Sequence, residues 1–175
     1  MIKSLFICLL LIFFYEPHHN KILASEKKIE SERLGHWSYY CINEKGIEQC
    51  EIARKIKIDD QNENFLIIYR LAKSNSSTLQ ESLNIIVPPR ADKTKNLKLT
   101  FDDKTKFSKK FLKCMDHGCL VVFKSGLTLN YSLKNFDKMN ILFHATNETE
   151  PVSLTLDIGR FEDVYRIIND RLDLR

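Results

Sequence analysis

Glycine and proline are scarce in this chain, at five and four of 175 residues. Five scattered glycines leave no material for a Gly-rich phosphate cradle, and no such spacing occurs. A Gly-x-Ser-x-Gly elbow and a His-Glu-x-x-His pair are both missing, which removes two common hydrolase signatures. No apolar run reaches the roughly 20 residues that a bilayer-spanning helix needs. The longest, Leu5 to Tyr15, has 11. Charge of one sign is lacking too: 27 Lys and Arg stand against 23 Asp and Glu, a net +4. Such a balance gives no strong field for a polyanion. There is no internal repeat and no low-complexity segment.

What is present begins at the N-terminus. Met1-Ile2-Lys3-Ser4 and the apolar run after it have the charged and hydrophobic parts of a secretory signal peptide. Glu16, Pro17, His18 and His19 stop the run, and Ile22-Leu23-Ala24 offers a small residue for cleavage. The expected organisation is a signal peptide over 1–24, a flexible charged lead over 25–34 and a single β-rich domain over 35–175. Cleavage removes Lys3, Lys21 and Glu16, leaving 25 basic and 22 acidic residues, net +3. Cys8 lies too early in the run to be a lipid-anchoring cysteine. With the signal gone, no transmembrane segment is expected, and the predicted location is the periplasm, the medium or the cell surface.

Four cysteines remain: Cys41, Cys50, Cys114 and Cys119. Four allow three pairings, and spacing favours Cys41 with Cys50 and Cys114 with Cys119. The competing reading is one zinc ion held by all four. Zinc pairs prefer gaps of about two to four residues within each pair, whereas one gap here is eight, and an oxidising compartment favours disulfides. A redox role needs Cys-x-x-Cys at a helix start; Cys114 to Cys119 has four intervening residues and runs into the strand-like Leu120-Val121-Val122-Phe123.

Past the lead the pattern is that of strands. Gly35 to Ile42 carries Trp37, Tyr39 and Tyr40, and Asn43-Glu44-Lys45-Gly46 turns the chain back into Ile47 to Ile58. Phe65 to Leu71 is a compact apolar run, which reads as a strand buried on both faces. Leu79 to Val87 follows the turn-like Ser74 to Ser77, and Pro88-Pro89 ends it. Leu97, Leu99 and Phe101 alternate with polar residues, and Val152, Leu154, Leu156 and Ile158 alternate with Ser153, Thr155 and Asp157. Lys104 to Lys113 mixes lysines with Phe107 and Phe111, as a solvated strand edge or loop would. Gly126 to Phe136 is ambiguous; Leu127, Tyr131 and Leu133 would share a helical face. The end changes period: Phe161, Val164, Tyr165, Ile168 and Leu172 form an amphipathic stripe. The predicted fold is mainly β: a β-sandwich or barrel-like domain with one C-terminal amphipathic helix and two local disulfides.

An ordered set of short motifs then stands out. Trp37 precedes Cys41 by four, and Cys50-Glu51-Ile52-Ala53 follows. Next come Val87-Pro88 after an apolar strand and Cys114-x-x-x-Gly118-Cys119. Pro151-Val152-Ser153-Leu154 leads to Gly159, Phe161 and the last helix. In this the chain resembles the invasion-associated locus B family of bacterial exported proteins, over nearly all the mature part. It departs from that pattern where Pro89-Arg90 replace a glycine-containing turn and where Arg160 separates Gly159 from Phe161. The resemblance implies an exported envelope protein, linked in some members to invasion of host cells, notably erythrocytes. It also implies two local, structural disulfides. It carries no catalytic residues.

The functional expectation is therefore a non-enzymatic envelope or surface binding domain, with no cofactor and no metal. Its partner would be an unspecified envelope or host-surface molecule; nucleic acid is disfavoured, because Trp37, Tyr39 and Tyr40 on a strand fill a core more often than they stack on bases. The alternative is a secreted hydrolase or metal-dependent enzyme with a site at Asp116 and His117, the one suggestive local pair. Asn75, Asn130 and Asn147 begin Asn-x-Ser/Thr sequons, which matter only for a eukaryotic secretory product.

Overall fold

The computed structural model of the chain describes residues 31–44, 47–58, 63–73 and 79–173. The expected signal peptide, most of the expected lead, and parts of the segments expected to turn at 43–46 and 74–77 lie outside the described residues. Eleven strands and two helices are described. They are β1 (Glu32–Leu34), β2 (Trp37–Glu44), β3 (Ile47–Ile58), β4 (Glu63–Lys73), β5 (Leu79–Val87), β6 (Asn96–Phe101), β7 (Lys106–Lys110), β8 (Lys113–Met115), β9 (Gly118–Lys124), α1 (Leu127–Asn135), β10 (Lys138–Phe143), β11 (Val152–Asp157) and α2 (Phe161–Asp173). Every pairing is antiparallel. Seven strands form one sheet in the order β1-β2-β3-β4-β5-β9-β8, and four form a second in the order β11-β10-β6-β7. Both sheets are open, so the molecule is a sandwich and not a closed barrel.

The alternation of side chains decides what each sheet buries. Ile52, Tyr69, Leu83 and Phe123 are register partners across four strands and point the same way, all into the core. Opposite them Leu97, Leu99, Met139, Ile141 and Phe143 form the inner face of the small sheet. Phe65 and Phe143 meet edge-to-face across the interior, with centroids 5.5 Å apart. Four strands cannot cover seven, and α2 takes up the remainder. Its Phe161 packs edge-on against Trp37 and Tyr69, with centroids 5.4 and 5.3 Å apart, and Trp37 Nε1 donates to the Gly159 carbonyl at 3.2 Å. Glu162 and Asp163 in the first turn of α2 and Arg171 in its last complement the helix dipole.

Three expectations are corrected. Glu32–Leu34, placed in the flexible lead, form β1, because Glu32 accepts from Tyr39 Oη at 2.9 Å and from Arg171 at 2.6 Å. Phe65 to Leu71 is not buried on both faces: Phe65, Ile67, Tyr69 and Leu71 face the core, while Leu66 and Ile68 are half-buried and Arg70 is exposed. A second helix, α1, resolves the ambiguous segment. It turns Leu129, Ser132 and Leu133 inward and leaves Leu127 93% and Tyr131 59% exposed, so of the face that spacing indicated Leu133 alone is buried. Cys114 to Cys119 forms a β-hairpin, β8 turning into β9.

Candidate functional site

Cys41 is bonded to Cys50 and Cys114 to Cys119, with Cα separations of 4.1 and 3.9 Å. Each pair is directly opposite in register, β2 against β3 and β8 against β9. The bonds therefore staple adjacent strands. Cys50 and Cys119 are fully buried, whereas Cys114 is exposed.

Gly118 follows the hairpin turn with φ +149°; a Cβ there would lie 2.6 Å from both Ile86 Cγ2 and the Val87 carbonyl oxygen. Only glycine lets β9 start so close to β5. Asp116 and His117 occupy the turn between Met115 and Gly118, both exposed. Neither makes a hydrogen bond or ion pair with another described residue. Among the described residues no three His, Cys, Asp or Glu side chains converge in a way that would hold a metal ion.

A polar network secures the two helices. Tyr69 Oη donates to Asn130 Oδ1 at 2.8 Å and lies 3.0 Å from Ser125 Oγ. Asn130 Nδ2 donates to Glu81 at 2.6 Å, and Tyr165 Oη donates to the other oxygen of Glu81 at 2.7 Å. Burial pushes the Tyr69 phenol well above its ordinary pKa. Asn130 is thus engaged at both ends of its amide and is no exposed glycan acceptor. Asn147 sits exposed in a turn with φ +69°, and Asn75 lies outside the described residues. An open cleft of about 190 Å³ separates the end of α1 from the start of α2, lined by Phe136, Asp137, Gly159, Arg160, Glu162 and Asp163. Arg160 and Asp163 there are paired with each other at 2.5 Å.

The outer face of the seven-stranded sheet is built differently from that of the small sheet. On the small sheet Asn140 Nδ2 bridges to Ser153 and Thr155 at 2.9 and 3.1 Å, and Asn96 bonds Ser108 at 3.0 Å. That surface is polar and made for water. On the large sheet Leu66, Ile86 and Leu120 lie side by side across β4, β5 and β9, and in the next row Ile68 and Val122 flank Asn84, whose side-chain amide donates to the Ile68 carbonyl and to Ser82. The five aliphatic residues are half-buried, and none belongs to the core or packs against it. Both helices and the small sheet lie on the opposite face.

At one end of this floor stands a buried carboxylate, Glu51, 6% exposed. It accepts from Tyr40 Oη at 2.5 Å, Gln49 Nε2 at 3.0 Å, and Arg70 through Nε and Nη2 at 2.8 and 2.6 Å. Burial first, and then the bond to Glu51, pushes the Tyr40 phenol up to about 12. The sequence reading missed this face. Its signal was present in Leu66 and Ile68, which make an apolar run continuous where one buried face requires alternation.

Comparison with known proteins places these features. The family model described as invasion associated locus B protein matches residues 37–169. The crystal structure of invasion associated protein B from Bartonella henselae is similar, with a TM-score of 0.67 at 20% identity. The alignment covers 82% of this chain and 98% of that one. No curated protein matches the chain.

Proposed function

The chain belongs to the invasion-associated locus B family, and from that premise we propose that it is an exported, non-enzymatic binding domain of the cell envelope or cell surface. The observation that carries the proposal is the half-buried aliphatic floor on the outer sheet face, left over once the core and both helices are packed. Two cross-strand disulfides support export, since such bonds persist in oxidising compartments. The role is to hold an envelope or host-surface partner on a rigid sheet. The flat face is a better platform than a loop, because β4, β5 and β9 are each paired on both sides.

The test is a deletion strain compared with its complemented parent for envelope stress tolerance and host-cell invasion. Fractionation of the tagged chain runs in parallel. The expected result is a phenotype in at least one assay, with the processed chain outside the cytoplasm and no free thiol. An unaltered deletion strain, or a cytosolic chain with four reduced cysteines, overturns the proposal.

A further inference from the structure

We infer that the outer face of the seven-stranded sheet receives an amphipathic α-helix of a partner protein, apolar along one stripe and carrying carboxylates on both flanks. This rests on the binding reading above and specifies its partner.

The floor is bordered by cations. In one row the order across the sheet is Lys55, Leu66, Ile86, Leu120, Lys113, an aliphatic trio with a lysine at either side. Lys57 stands next to Lys55 on the outward side of β3, and Lys124 lies on the outward side of β9. All four lysines are exposed. Among the described residues Glu51 is the sole carboxylate at an outward position on β3, β4, β5, β8 and β9, and Arg70 neutralises it. Asp116 lies beyond the floor, in the hairpin turn. The bare charge of the face is thus positive on both margins and absent in the middle.

Dimensions then select the occupant. Adjacent strands lie about 4.8 Å apart, so Lys55 and Lys113, four strands apart, stand roughly 19 Å from each other. A helix with its side chains is about 10–12 Å across. One helix laid along the strands therefore fits between the two lysine margins and meets both. Lysine outreaches leucine, isoleucine and valine, so the margins stand taller than the floor. A bilayer would need the reverse, with apolar groups projecting past the charges. Single-stranded nucleic acid would need aromatic rings, and the floor is aliphatic. A second copy meeting the same face would set lysine margins against lysine margins, which like-charge repulsion disfavours.

The experiment titrates the mature chain with a fluorescent 18-residue peptide, leucine along one stripe and glutamate on both flanks, and with a counterpart bearing lysine flanks. The acidic peptide is expected to bind with an affinity that falls as salt rises. The lysine peptide and anionic phosphatidylglycerol vesicles are expected not to bind. The double variant Lys55→Glu/Lys113→Glu should weaken the acidic peptide by about tenfold or more. Ile68→Thr/Val122→Thr, which keeps β-branched side chains on the strands, should weaken it with no loss of salt dependence. Both variants face outward, and unchanged circular dichroism melts certify their folding. Equal binding of both peptides, binding of vesicles alone, or an affinity indifferent to either variant overturns the inference. If the deletion phenotype is real and Lys55→Glu/Lys113→Glu rescues it fully, this partner assignment falls while the binding role stands. Absence of any deletion phenotype removes the role itself.

Discussion

Ser132 is 1% exposed in the middle of α1, and its hydroxyl has no hydrogen-bond partner among the described residues. A buried, unmade hydrogen bond costs about 1–3 kcal/mol, and alanine is the better helix former. Ser132→Ala should therefore stabilise the protein by about 1 kcal/mol, read as a higher urea midpoint with an unchanged slope; a lower midpoint would contradict the placement. Tyr40 gives the opposite kind of residue-scale effect. Its folded pKa is raised to about 12 from 10.0, so its contribution is complete below pH 10. That contribution is lost as pH climbs toward 12, because the unfolded phenol ionises first. Stability should fall across that interval, and less steeply in Tyr40→Phe, which at neutral pH costs about 1 kcal/mol by leaving Glu51 one donor short. Urea melts at pH 8 and pH 11.5 read both. The role of Trp37 as a core residue was legible, since an aromatic on a strand has few other uses. The Glu51 network was not: neighbours at 40, 49, 51 and 70 are brought together only by register, which sequence does not display.

Helices and hairpins were legible in proportion to how cleanly their period stood out. The stripe of α2 and the alternation of β6 and β11 were plain, because each buries one face against a dry interior. Helix α1 was obscured by its own surface. Leu127 and Tyr131, four apart, imitate a core stripe, whereas the inward set Leu129, Ser132 and Leu133 includes a hydroxyl. At this scale the two disulfides should behave unequally. Each closes a short loop and is worth about 2–3 kcal/mol on the chain-entropy model. Cys114 is exposed on the edge strand β8, three residues long, while Cys41 is half-buried between β2 and β3. Graded reduction with alkylation and peptide mapping should open Cys114–Cys119 first, and loss of Cys41–Cys50 first would refute this. Gly118→Ala should cost more than 2 kcal/mol or abolish folding, since its methyl meets the Val87 backbone carbonyl, which cannot turn away, as well as the Ile86 side chain. A melting temperature within a degree or two of the parent would show that β9 can yield.

For the whole molecule, the strand list was largely readable but the division into two sheets was not. Period two says which residues share a face; it is silent on which strands are neighbours, and β6, β7, β10 and β11 part from the others through Pro88-Pro89 and α1. The same silence hid the uncovered outer face, which exists only once seven strands are set against four. One contact pattern governs how the chain reaches this state. Trp37 bonds Gly159, 122 residues on, and Glu32 bonds Arg171, 139 residues on, whereas the disulfides span nine and five residues. Hairpins can close within microseconds, but the first strands wait for the last helix to seal their side of the core. A chain emerging N-terminus first would hold Trp37 wet until the start of its last helix is delivered, so tryptophan fluorescence would serve as the clock of that closure.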